Sequence, residues 1–153
     1  MAIASCGTLD PREGNGIDPE FASYVARFER YYGRPIGDIP IYFAKMESNK
    51  SAGECWIWWG GYRTYREIRI DRRWWNQMGD TFQREILIFH ELGHCELNRP
   101  HTEEMRNMFA PMSIMYPSVN VSHWRTYLLN HDYYIKELFA GECRVQLHDG
   151  FRD

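Results

Sequence analysis

The residues with the most chemistry in them lie in one stretch, FHELGHCELNRPH, residues 89–101. His90 and His94 are four apart, so on a helix they differ by about 40° and stand one turn above the other. Both imidazoles can then reach a single ion at the roughly 2.0–2.1 Å that zinc requires. Glu91 follows His90 and points to the side of the pair. There a carboxylate can hold a water and take its proton without ligating the ion itself, the arrangement of metal-assisted hydrolysis. The plainer alternative is two half-exposed helical histidines beside a glutamate. An H-E-x-x-H run arises by chance in on the order of one 150-residue chain in a few hundred, and burying such a trio without a metal would be costly. The metal reading is therefore the stronger one.

A catalytic zinc usually takes three protein ligands and a water, so two histidines are not enough. At this point the chain resembles the metzincin metallopeptidases, whose pattern is H-E-x-x-H-x-x-G-x-x-H. In that family the Gly breaks the helix in a left-handed conformation and the chain turns to bring the third His to the ion. This sequence departs from the pattern: Leu97 stands at the Gly position and Pro100 at the His position. One residue later, Asn98 is the next most tolerant type for positive φ. From there Asn98-Arg99-Pro100-His101 repeats the Gly-x-x-His spacing, and Pro100 cannot continue a helix. The resemblance thus implies His101 as third ligand on a helix one residue longer, with Glu103 and Glu104 as the nearest substitutes.

Ser113-Ile114-Met115-Tyr116-Pro117 resembles the tight Met turn of the same family, which places Met115 under the ligands as an apolar floor. Some members carry an oxyanion-stabilising or weakly ligating Tyr two residues after that Met. Here Tyr116 is adjacent, and the shift puts such a role in doubt. The resemblance implies a zinc-dependent endopeptidase acting on peptide or protein substrates, with Zn²⁺ on His90, His94 and His101 and Glu91 as general base. Two other readings stay open. One is a zinc peptidase whose third ligand is a Glu from a later helix, Glu137 or Glu142. The other is a lipid-anchored binding module whose structural zinc takes a fourth ligand from His123 or Cys95. Cys95 follows His94 by one, about 100° around the helix, and a closed site has no use for Glu91.

The elements that must position these residues are readable in outline. Phe21, Tyr24, Val25 and Phe28 recur at helical spacing over residues 19–32, with Pro19 in the first turn and Gly33 as a stop. Residues 39–44 read as a strand, and 55–59 with 62–70 as a hairpin about Gly60-Gly61. Residues 71–78 suit a short helix carrying Trp74 and Trp75. A core helix over 81–97 is capped by Asp80, with Gln83 completing a capping box. Its Gly93 costs about 1 kcal/mol against Ala, so something bulky should approach there. Residues 130–140 form a last helix, burying Tyr134, Ile135 and Leu138. The expected fold is α+β: a small metzincin-like domain in which a twisted mixed sheet packs on the helix of 81–97, with the Met115 turn and the last helix below the site. Trp56, Trp58 and Trp59 belong either to the hairpin's own packing or to the cleft wall, the former being preferred.

With 153 residues the chain suits one domain, taken here as 18–153 after a tether of 1–17. A net charge of −3 gives no footprint for nucleic acid, and a monomer is expected. Arg63, Arg66, Arg69, Arg72 and Arg73 are dense, and a solvated strand edge accounts for them. IASCG, residues 3–7, resembles a bacterial lipoprotein cleavage box, which implies acylation of Cys6, export to the periplasm or cell surface and membrane contact through that anchor alone. Of Cys55, Cys95 and Cys143 one pair could bridge, and the sequence does not choose it.

Overall fold

A computed structural model describes residues 16–47, 51–79, 81–117 and 124–140. Cys6, Asp80, His123, Glu142 and Cys143 lie outside the described residues, and so do the expectations placed on them.

Helix α1 (Pro19–Tyr32) starts where the Asp18 carboxylate accepts the Glu20 N–H and ends at Gly33, whose φ of 82° closes it. Its face of Phe21, Tyr24, Val25 and Phe28 is buried. Strands β1 (Ile41–Phe43), β2 (Gly53–Trp59) and β3 (Thr64–Ile70) form one mixed sheet in the order β1-β3-β2. β1 runs parallel to β3, pairing Ile41 with Ile68 and Phe43 with Ile70. β2 pairs antiparallel with all of β3, from Gly53↔Ile70 to Trp59↔Thr64. Ile41, Ile68 and Ile70 are fully buried.

Short helix α2 (Arg72–Gln77) follows, capped by Asp71, whose side chain accepts the Arg73 N–H. Helix α3 (Thr81–Cys95) is the central element and buries ten of its residues. Hairpin β4 (Met105–Asn107) and β5 (Ala110–Pro111) comes next, then α4 (Trp124–Leu129) and α5 (His131–Leu138). Edge-to-face rings knit α1 to α2 and α3: Phe21 meets Trp75 at 4.9 Å and Phe28 meets Phe89 at 5.3 Å. Each such ring, fully buried, stabilises the core by ~1.5–3 kcal/mol.

The α+β class, the small mixed sheet and its packing on the central helix match the expectation from sequence. Three details differ. α3 ends at Cys95 and not at residue 97, because the chain begins to turn earlier. The helix α4 was not foreseen; residues 124–129 carry no cap signal. The arginine cluster is not a strand edge: β3, which carries Arg66 and Arg69, is the middle strand, Arg72 and Arg73 lie in α2, and the arginines find partners. Arg69 pairs with Glu67, Arg73 with Asp71 and Arg72 with Glu20. β2 is an outer strand, and among the described residues nothing pairs with its other edge. Among the described residues no helix is long and apolar enough to cross a membrane.

Candidate metal centre

The last turns of α3 build the centre. Beyond Cys95 the backbone loosens: Leu97 N–H reaches Leu92 O at 3.3 Å, and Arg99 N–H reaches Gly93 O at 2.9 Å. Between them Asn98 takes φ 53°, the one non-glycine residue with positive φ among those described. This is the break that the shifted spacing predicted. Asn98 Oδ1 also accepts from the Arg66 guanidinium at 3.2 Å, which ties the break to β3. Past it the chain doubles back and His101 arrives opposite the helix.

His90, His94 and His101 form a group whose ligand atoms lie within 4.8 Å of one another, so the three can hold one metal ion. His90 Nε2 stands 3.1 Å from His94 Nε2 and 3.2 Å from His101 Nε2. Two nitrogens sharing a tetrahedral ion at 2.0–2.1 Å would be roughly 3.3 Å apart. The other ring nitrogens decide the protonation. His90 Nδ1 faces Ile114 O at 2.8 Å, and His94 Nδ1 faces Arg99 O at 2.7 Å. A carbonyl can only accept, so each Nδ1 carries the hydrogen and each Nε2 presents a lone pair. Two lone pairs at 3.1 Å repel unless a cation lies between them. Burial pushes the His90 imidazole down to about 4; the Ile114 carbonyl opposes this, and His94 and His101 add to it. His94 is lowered too, again chiefly by burial. Both are therefore neutral near pH 7, the form that ligates. His90 is buried, His94 half-buried and His101 exposed, so the group opens to solvent on the His101 side.

Met115 packs against α3 at Gly93, which lies between His90 and His94 in the helix. A Cβ on Gly93 would come within 2.4 Å of Met115 Sδ and 3.3 Å of Leu138 Cδ1. That close approach explains a glycine in the middle of α3. The turn is held by Ser113 Oγ, which accepts the Met115 N–H at 3.0 Å, and by Thr102 N–H, which donates to Met115 O at 3.0 Å. One short segment thus packs Met115 against α3 and supplies an orienting carbonyl to His90 through Ile114.

Glu91 is 4% exposed and sits against β2. A Cβ on Gly53 would fall 2.9 Å from Glu91 Oε1. Burial pushes the Glu91 carboxyl up to about 8; Glu54 adds to the shift, and the Cys55 backbone N–H opposes it. A disulfide joins Cys55 to Cys95 and pins this strand to the end of α3. The pairing that the sequence left open is thereby settled, and Cys95 is removed as a metal ligand.

A cleft of about 900 Å³ contains His90, Glu91, His94 and His101. One face of α3 lines its length through Gln83, Leu87, His90, Glu91 and His94, and β2 forms its rim through Gly53, Cys55 and Ile57. Pro117 lines it and Tyr116 does not; nor do Trp56, Trp58 and Trp59, so the indoles belong to the hairpin and not to the cleft wall. Glu103 and Glu104 are exposed and stand outside the histidine group. Glu137 is engaged by the Arg99 guanidinium, which also donates to the carbonyls of Glu137 and Leu138 at 2.7 and 2.8 Å. Sequence reasoning missed Arg66 and the Cys55 N–H, because neither stands at a recognisable spacing from the histidines. Compared with known proteins, the chain matches no family model, no curated protein and no solved structure.

Proposed function

We propose that the chain is a zinc-dependent endopeptidase of small metzincin type, with His90, His94 and His101 as the ligands and Glu91 as general base. The observation that carries this reading is the set of converging imidazole nitrogens, two of them fixed as lone-pair donors by backbone carbonyls. Three imidazoles suit zinc, and a fourth position is left for water or substrate. When bound, the ion supplies Lewis acidity: it polarises a carbonyl and makes water a stronger acid. Glu91 receives the proton of the attacking water and passes it to the leaving amine. A cation beside it would draw its raised pKa back towards the range of a working base. β2, an outer strand with no neighbour on that side among the described residues, lines the cleft, so an extended peptide can add to the sheet there and be presented to Glu91. Met115 packed against Gly93, between two of the ligands in α3, supports the metzincin type.

The disulfide suits an oxidising compartment, which agrees with export and with an acyl anchor at Cys6. Two substitutions separate the roles. Glu91→Ala should keep zinc near one equivalent and lower peptide hydrolysis by at least ~10²–10⁴-fold. His101→Ala should weaken zinc binding itself. Full zinc affinity and full activity in His101→Ala would overturn the ligand set. Undiminished hydrolysis in Glu91→Ala would overturn the base.

A further inference from the structure

β1 pairs with β3 only at Ile68–Ile70, whereas β2 and β3 continue together to Trp59 and Thr64. The outer part of the hairpin therefore extends beyond the third strand. Its end carries large apolar side chains in the open: Ile57 is 49% exposed, Trp59 69% and Tyr62 101%. The turn is fixed, since Gly61 takes φ 79° and a Cβ on Gly60 would strike the Tyr65 ring at 2.2 Å.

We propose that this hairpin tip is a membrane-interface foot, which seats Trp59 and Tyr62 among the headgroups of an anionic bilayer. Trp and Tyr have an apolar body and a polar edge, which suits the headgroup layer. The hairpin's other rings pack within it on at least one face, which leaves Trp59 and Tyr62 as its most open ones. Trp58 stacks on Tyr65 with centroids 5.6 Å apart and planes at 13°. Arg63 lies over Tyr65 and Arg69 over Trp56, each at 4.3 Å. The charge points the same way. Residues 55–66 hold Arg63 and Arg66 and no acidic residue, in a chain whose net charge is −3. Arg63 meets Asp38 at 3.6 Å with both side chains largely exposed, a pair that holds it weakly. This contact is separate from an acyl group at Cys6, and it does not depend on the metal centre.

The test is co-sedimentation of the full chain carrying Cys6→Ser, so that no acyl group contributes. The vesicles are phosphatidylcholine alone or mixed with phosphatidylglycerol. Binding to the anionic vesicles is expected, with a blue shift of tryptophan emission. Trp59→Ser with Tyr62→Ser should weaken it at least ~10-fold, about 1.4 kcal/mol. Arg63→Gln should weaken it about five-fold on anionic vesicles only. No binding by the Cys6→Ser chain would overturn the proposal. So would a tip variant that binds as its parent does, or one that loses self-association in sedimentation while keeping its vesicle affinity.

Discussion

Helix α3 buries two carboxylates, Glu85 and Glu91, in opposite surroundings. Glu85 is 0% exposed and fully used. It accepts from the Arg27 guanidinium, from Tyr127 Oη at 2.7 Å and from His131 Nε2 at 3.0 Å. It thereby joins α1, α4 and α5 to the core helix. Burial, and then the Glu85 charge, raise the Tyr127 hydroxyl well above its ordinary pKa, so it stays a donor. Glu91 has the Cys55 N–H, and burial with the Glu54 charge pushes it up to about 8. Glu85's lone pairs are consumed by the protein, which makes a structural knot. Glu91's are left over beside three converging imidazoles, which is the condition for acting on something not part of the chain.

The sharpest way to break this contrast is to neutralise each carboxylate in place. Glu85→Gln should destabilise by about 3 kcal/mol, the lower end of the cost of breaking a buried pair, because Arg27 stays 33% exposed. Glu91→Gln in the metal-free chain should not destabilise and should raise stability at neutral pH, because a carboxyl pushed up to about 8 opposes folding wherever its unfolded counterpart is ionised. Denaturant midpoints at constant m-value measure both. Equal losses would erase the distinction.

The contact of Met115 with α3 gives the next effect. Gly93→Ala should cost ~1–3 kcal/mol by driving a methyl into Met115, and should weaken zinc binding with it. In a Met115→Ala background the same change should cost little. A double-mutant cycle reads that coupling, and simple additivity would deny the contact. The helix break is smaller still. Asn98→Gly should be neutral within a few tenths of a kcal/mol, and Asn98→Ala should cost about 1 kcal/mol at a positive φ. Thermal midpoints and zinc affinity check it.

The smallest effect lies far from the centre. The Arg73 guanidinium beside Asp71 holds its carboxyl down at about 2 against the ordinary 3.8. A depressed carboxyl adds stability above its unfolded pKa and loses it as pH falls through its folded one. Wild type should therefore lose stability between about pH 4 and pH 2 that Asp71→Asn never had. The difference should be modest and should shrink in salt, because Arg73 is half exposed. Acid-unfolding midpoints of the pair measure it.

What was legible in the sequence follows from where the information is local. His90, Glu91 and His94 share one helical face, and spacing alone brings them together. Asn98 could be read because positive φ selects few residue types, and Gly93 because its cost required a neighbour. The partner that meets Gly93 is Met115, and a turn resembling a known one supplied that name. Arg66 on Asn98, the Cys55–Cys95 bridge and the Glu85 knot could not be read. Each joins elements distant in the chain, and no periodicity encodes which strand lies beside which helix. The middle position of β3 was hidden for the same reason: strand order is set by packing on α1 and α3.

The most direct test of the three-histidine zinc centre is the zinc X-ray absorption spectrum of the full chain at neutral pH. One equivalent of zinc is expected, bound by three nitrogens and one oxygen, all near 2.0–2.1 Å, with imidazole multiple scattering. A sulfur neighbour at about 2.3 Å, a shell with only two imidazoles, or no zinc bound would contradict it.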